Sequence, residues 1–135
     1  MSPSFRKAGI VLIILAILGI GCAMEWRSAN SRAAIRMLQA KEAFESGANQ
    51  TVPVGSDKVR VQQFLNSKRM TFIDTGPISQ EGGTLDGETV SRIEAISKDE
   101  IATPLGACWI SAKFRFDAHE KLLGYTDWSS CKWIF

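Results

Sequence analysis

Histidine and cysteine are scarce in this sequence, with one His and three Cys among 135 residues. A tetrahedral zinc site needs four such ligands at characteristic spacings, and no C-x-x-C pair occurs. With a single histidine, the sequence also has few candidates for a nucleophile activated by a general base. The sequence therefore predicts no metal, no cofactor and no catalytic residue.

A strong net charge is also missing. Sixteen Lys and Arg residues face fourteen Asp and Glu residues, which gives a net charge of +2 at neutral pH. Residues 46–135 hold ten basic and eleven acidic side chains, so most of the chain has no basic surplus. Because nucleic-acid-binding proteins use a basic face, we expect no nucleic-acid partner.

Residues 8–24 lack any charged side chain and read AGIVLIILAILGIGCAM. As a helix they span about 25 Å, close to the hydrocarbon thickness of about 30 Å, and this predicts contact with membrane lipid. Three interpretations stay open: a signal anchor with Trp26 at the interface, a lipoprotein signal acylated at Cys22, or a cleaved signal peptide. Gly21 fits a lipobox before the cysteine, whereas Gly19 stands where leucine is favoured.

An amphipathic helix is predicted for residues 25–46, which contain no Gly or Pro. Its apolar stripe consists of Trp26, Ala29, Ala33, Met37, Ala40 and Phe44. The helix either lies on anionic lipid or packs as a stalk with solvated charges. Gly47 is predicted to end it as a C′ residue.

A small domain is expected to follow. A helix over residues 57–68 begins at Ser56 as its N-cap and carries an apolar stripe of Val61, Phe64 and Leu65. The other expected elements are a strand at 70–75, a loop at 78–88, a strand at 89–98 and a loop at 99–106.

The clearest pattern is a β-hairpin at the end of the sequence. Residues 108–116 alternate strictly between apolar and polar side chains, which indicates a half-buried strand. A polar turn at 117–121 leads into a second strand that runs to Phe135.

The turn length predicts a register that pairs two cysteines. If Asp117 lies opposite Leu122, Phe116 meets Leu123 and Cys108 meets Cys131. Opposed residues in antiparallel strands have Cα atoms about 4.5–5.5 Å apart, which suits a disulfide bond. The charges around residues 8–24 do not agree on orientation, since Arg6 and Lys7 favour a cytoplasmic N-terminus and the basic residues that follow favour the reverse. A disulfide indicates an oxidising compartment, so we expect the domain to be extracytoplasmic or periplasmic.

Trp109 and Trp128 fall on the outward face of this hairpin, and Trp133 joins the face of Cys131. The outward pair forms either a patch for a protein partner or a surface that a helix covers. His119 lies in the turn beside two carboxylates. A small hydrolase or lyase using His119 with Asp117 or Glu120 is the enzymatic alternative.

Several short motifs resemble those of the SmpA/OmlA outer-membrane assembly lipoproteins and related small two-layer domains. They are Val54-Gly55-Ser56, Val59, Phe64-Leu65, Phe114-Arg115-Phe116-Asp117 and Lys121-Leu122. The usual Gly-x-Pro after the helix is replaced by Asn66-Ser67-Lys68, and the cysteine pair is an addition. The resemblance implies a two-layer α+β fold with a binding role.

The predicted architecture has three parts: a signal anchor or lipoprotein signal (1–24), a juxtamembrane helix and linker (25–50) and an α+β domain (51–135). In the domain, one helix packs on a sheet of three or four antiparallel strands that ends in a long hairpin. The predicted function is a membrane-tethered binding module without catalytic activity. A structural subunit that contacts a membrane complex through the helix at 25–46 is a further alternative.

Overall fold

The computed structural model describes residues 3–77 and 89–133. They form two helices and one five-stranded sheet, which confirms the predicted α+β class. The elements are α1 (Pro3–Thr51), α2 (Lys58–Ser67), β1 (Met70–Pro77), β2 (Ser91–Ser97), β3 (Ile101–Thr103), β4 (Gly106–Phe116) and β5 (Leu122–Trp133). The loop predicted for residues 78–88 lies outside the described residues.

Helix α1 runs without interruption through the predicted stop at Gly47. That prediction was wrong, because the following turn of helix has a packing partner. Ala48 and Val52 are buried in the core, and the Val52 amide still donates to the Ala48 carbonyl at 2.8 Å. An added Cβ at Gly47 would lie 3.3 Å from the Lys68 side chain, so the glycine allows α1 to approach the end of α2.

The apolar stripe of α1 packs against the domain. Ala33 and Phe44 are buried, while Met37 and Ala40 are partly buried. Trp26 is exposed. The N-terminal part of α1 is long and apolar enough to cross a membrane, and none of the residues in its most apolar stretch is buried inside the protein.

Strand β4 lies at the centre of the antiparallel sheet, between β5 on one side and β2 on the other. Strand β3 pairs with the start of β4, where β5 already occupies the opposite side. It therefore continues the line of β2 past a short interruption at residues 98–100. This strand was not predicted, because Pro104 close to it favoured a loop. The lateral order is β1, then β2 with β3, then β4 and β5.

The register of β4 and β5 agrees with the prediction over most of the hairpin, including the pair of Cys108 and Cys131. It departs at the end, where Phe116 pairs with Leu122 instead of Leu123 across a β-bulge. The bulge places Leu122 in the core, and the Leu122 amide donates to the Ser56 carbonyl at 2.8 Å. Packing and backbone pairing therefore shift the register by one residue.

A disulfide bond joins Cys108 to Cys131 across this hairpin, with Cα atoms 4.1 Å apart. Cys108 is buried on the central strand, whereas Cys131 is exposed on the edge strand. The bond therefore links the edge strand β5 covalently to the central strand β4.

Asp57, not Ser56, occupies the N-cap position of α2, and no side chain caps the helix. Ser56 is buried because its backbone pairs with Leu122 at the start of β5. The Asp57 carboxylate accepts a hydrogen bond from Lys121 in the turn before β5. Gly55, with φ of +90°, makes the tight turn that brings these segments together.

The core lies on one face of the sheet only. Phe44 of α1 is in contact with three aromatic rings, with centroids 5.7 Å away at Phe64, 6.4 Å at Phe114 and 6.1 Å at Tyr125. Phe114 and the neighbouring Ile93 are fully buried. Both helices therefore cover one face of the sheet, and the opposite face is open.

Candidate functional site

The open face of the sheet carries a row of side chains that crosses four strands. Because side chains alternate along a strand, each residue of the row points away from the helices. The pairs Thr71 with Ile96, Ile96 with Ser111, and Ser111 with Trp128 join β1, β2, β4 and β5. Strands are about 4.8 Å apart, so the row is about 14 Å long.

The apolar members of this row are exposed. Trp128 is 42% and Ile96 38% exposed, and Ile73 on the adjoining position of β1 is 68% exposed. A shallow depression of about 250 Å³ lies among them, and Thr71 and Ser111 also line it. We call Thr71, Ile73, Ile96, Ser111 and Trp128 the open-face patch.

The two tryptophans predicted to act together have different surroundings. Trp128 belongs to the open-face patch, while Trp109 is half-buried on the same face beside its partner Ser130. The hydroxyls of Ser111 and Ser130 are hydrogen-bonded at 2.8 Å between them. The buried indole N–H of Trp109 has no hydrogen-bond partner within the described part of the chain.

Charged side chains flank the patch on the side nearer the end of β4 at Phe116. Glu94 forms ion pairs with Arg92 at 3.3 Å and with Lys113 at 3.5 Å. Arg115 continues this flank on β4, where it pairs with Arg92 in register. Three basic groups and one acidic group make the flank positive.

Comparison with protein-family models, with curated proteins and with solved structures finds no match to this chain. The resemblance to the SmpA/OmlA lipoproteins therefore stays a prediction.

Sequence reasoning missed the β1 and β2 members of the patch. Ile73 and Ile96 lie 23 positions apart, and residues 78–90 separate their strands. No local pattern fixes the register between those strands. The only available signal was the apolar residue on the outward side of each predicted strand.

His119 lies in the turn between β4 and β5, and its backbone amide donates to Asp117 Oδ1 at 2.8 Å. The same carboxylate oxygen accepts the Lys121 amide at 2.9 Å. The Lys121 and His119 amides lower the pKa of Asp117. Asp117 thus organises the turn, and Glu120 beside it adopts a positive φ of 56°.

Cys22 is an exposed free thiol on α1. Among residues 3–77 and 89–133, no group of three His, Cys, Asp or Glu side chains is arranged to hold a metal ion. An apolar cleft of about 200 Å³ lies between α1 and the sheet, lined in part by Phe44, Met70 and Ile110. It is smaller than the usual ligand pocket of about 300–1,000 Å³.

Two carboxylates lie close together between α1 and β5. Asp127 lies on the helix-covered face beside Glu45, which is paired with Lys41 at 3.3 Å. Burial and then the charge of Glu45 raise the pKa of Asp127, against the opposing effect of Lys41. One Asp127 oxygen is buried and has no hydrogen-bond partner in the described residues.

We expect Asp127→Asn to raise the free energy of unfolding at pH 7 by about 0.5 kcal/mol, since solvent screens part of this repulsion. A raised pKa means that the ionised carboxylate destabilises the fold, and that the penalty disappears as the pH falls through the folded pKa. The stability difference between the variant and the wild type should therefore shrink in acid. Urea unfolding at pH 7 and pH 4 measures it, and an equal difference at both pH values would contradict the assignment.

Proposed function

We propose that this protein is a membrane-tethered interaction module whose open-face patch binds a protein partner outside the cytoplasm. The patch is the observation that carries the proposal. Its Trp128 and Ile73 are exposed on a face that no element of the described chain covers, while the other face carries the hydrophobic core. Large aromatic and aliphatic side chains in such a patch are typical of protein interfaces.

The chemistry of the patch indicates which side chains the partner presents to it. Its apolar row accepts aliphatic or aromatic side chains, and the flank of Arg92, Lys113 and Arg115 favours acidic residues beside them. A patch of this size with a polar flank fits a weak or transient contact better than an obligate one. The membrane anchor compensates for a weak affinity, because confinement to one surface raises the effective concentration of both partners.

Two features support the location. The apolar part of α1 is long enough to span a membrane. Arg6 and Lys7 before it favour a cytoplasmic N-terminus, whereas the basic residues after it at 27, 32, 36 and 41 favour the opposite orientation, so charge alone does not set the topology. The Cys108–Cys131 bond is of the kind that persists in oxidising compartments. Together they favour a single-pass protein with its C-terminal domain exported.

Photo-crosslinking in membranes of the native host tests the proposal. A benzophenone amino acid replaces Trp128 or Ile73 in the patch, or Val59 on the outer side of α2 as a control of similar exposure. We expect one discrete adduct from positions 128 and 73 and none from position 59. Lys113→Glu should weaken the adduct at least about threefold, because it reverses a charge on the flank.

The alternatives predict other outcomes. A structural subunit that uses α1 would give its adduct from Ile35 or Leu38, which are exposed on α1 away from the domain. Adducts there and none at position 128 would contradict the proposal in favour of that role. A hydrolase or lyase would lose activity on its substrate in His119→Ala while keeping the adduct at position 128.

A further inference from the structure

We propose that the end of the domain nearest the membrane span rests in the lipid headgroup layer and binds anionic lipid. This end consists of the turn between β3 and β4 at Pro104 and Leu105, with Trp133 at the end of β5. The inference rests on the proposed membrane anchor and adds a second contact with the same membrane.

The continuous helix sets the height of the domain above the membrane. Arg36 Nη2 donates to the Ala102 carbonyl at 3.4 Å, and Ala29 and Arg32 line a cleft with Pro104. At 1.5 Å per residue, Ala29 lies about 4–5 Å beyond Trp26 along α1. The headgroup layer is about 5–8 Å thick on each side, so a turn at the level of Ala29 lies within it.

The sheet gives an independent check of this alignment. Higher along the helix, Tyr125 donates a hydrogen bond to Asn49 Oδ1 at 3.1 Å. Ala29 and Asn49 are about 30 Å apart along the helix axis. Gly106 lies next to the turn, and Phe114, the strand partner of Tyr125, is about 26 Å farther along β4. The helix and β4 therefore run side by side, and the turn marks the end nearest the membrane.

This end has the side chains of a membrane interface. Trp133 is 52% exposed and pairs in register with Gly106, one residue from the exposed Leu105. Tryptophan is enriched at the headgroup level, where its ring is apolar and its N–H polar. Trp26 lies about 4–5 Å closer to the membrane core on the helix, within the same headgroup layer.

Basic residues predominate over acidic ones on the segments that form this end. Helix residues 25–36, the turn region 101–107 and the strand end 131–133 together hold four basic side chains and one acidic one. The basic side chains are Arg27, Arg32, Arg36 and Lys132, and the acidic one is Glu25. A cluster of basic side chains attracts anionic lipid within about a Debye length, on either side of a membrane whose leaflet contains such lipid.

Quenching of tryptophan fluorescence by brominated lipids tests the geometry. Three full-length proteins each retain one tryptophan, at position 26, 133 or 128, with Phe at the others, in phosphatidylcholine–phosphatidylglycerol vesicles brominated near the headgroup. Trp128 is the matched control, because it lies about 17 Å from Trp133 along the same strand. We expect about twofold quenching of Trp26 and Trp133 and little of Trp128.

Each outcome has one meaning. Quenching of Trp26 without Trp133 overturns the second contact and leaves the anchor in place. Quenching of neither shows that the proposed anchor itself fails. Quenching of Trp128 as strong as that of Trp133 overturns the upright placement. Two results overturn the preference for anionic lipid. One is equal quenching of Trp133 in vesicles with and without phosphatidylglycerol, and the other is unchanged quenching of Trp133 in the Arg32→Gln/Lys132→Gln double variant.

The wild-type protein provides a measurement that needs no tryptophan replacement. A phosphatidylglycerol with a photoreactive diazirine near its headgroup is crosslinked to the reconstituted protein, and tryptic peptides are mapped after reduction. We expect label in peptide 99–113, which carries the turn at Leu105, and none in peptide 116–121, which carries the opposite turn at His119. Equal labelling of both peptides would contradict the proposal.

Discussion

Loss of the Cys108–Cys131 bond should lower the free energy of unfolding by about 3–4 kcal/mol. The two cysteines are 23 positions apart, and the bond restricts the unfolded chain over that loop. It also holds β5, an edge strand, to β4. Because small domains are stable by only about 5–15 kcal/mol, this loss is a large fraction of the total.

The measurement compares urea unfolding of the wild type with that of the Cys108→Ala/Cys131→Ala double variant in detergent. Cys22→Ser is the matched control, since this exposed thiol lies on α1 away from the core. It should change stability by less than about 0.5 kcal/mol. Equal stability of the double variant and the wild type would show that strand pairing alone holds β5.

The same bond offers a test of location. Mass spectrometry of non-reduced protein from the native host should show one disulfide and, at Cys22, either a free thiol or an acyl group. Two free thiols at positions 108 and 131 would remove the support for an extracytoplasmic domain.

The sequence predicted the hairpin well because its pattern and its turn constrain each other. Strict alternation in residues 108–116 gives the buried face, and the turn length gives the partner of each residue. The error at Phe116 had a non-local cause. The pairing of Leu122 with Ser56, 66 positions away, creates the bulge, and no local pattern shows it.

The errors at helix ends have the same origin. Gly47 is a stop signal in isolation, but contacts of the next turn with the core override it. Ser56 is a good N-cap in isolation, but its backbone is engaged by β5. In both places tertiary contacts decide the local structure.

Only part of the open-face patch could be predicted from the sequence, for a similar reason. Trp128 could be placed on the outward face from the hairpin register alone. The neighbouring Ile96 and Ile73 required the pairing of β1 with β2 and of β2 with β4, which depends on strand order. A surface that crosses four strands is a property of the sheet and not of any single segment.

Asp74→Asn should destabilise the protein by about 3 kcal/mol, because it removes the counter-ion of a buried lysine. Lys58 at the start of α2 is 7% exposed, and its Nζ lies 2.7 Å from Asp74 Oδ2 and 3.2 Å from Ser91 Oγ. The ring of Phe116 is 5.5 Å from the same ammonium. We expect the lower end of the range for a broken buried pair, since the Asp74 side chain is 35% exposed.

The pair should respond asymmetrically to replacement. Lys58→Met fills the site with an apolar chain and leaves a carboxylate that water can reach, so it should cost only about 1 kcal/mol. Adding Asp74→Asn to Lys58→Met should then cost little more. Urea unfolding of the two single variants and the double variant forms a double-mutant cycle. Strictly additive costs would show that the two groups do not interact.

The acid response of this pair follows from the pKa of Asp74. Burial raises that pKa, but the hydrogen bonds from Lys58 and the Gly76 amide, with the charge of Lys58, lower it overall from 3.8. A lowered pKa means that the stabilisation is complete above the unfolded value and is lost as the pH falls through the folded pKa. The wild type should therefore lose its advantage over Asp74→Asn only below about pH 3.8, and a loss already complete at pH 5 would contradict the ion pair.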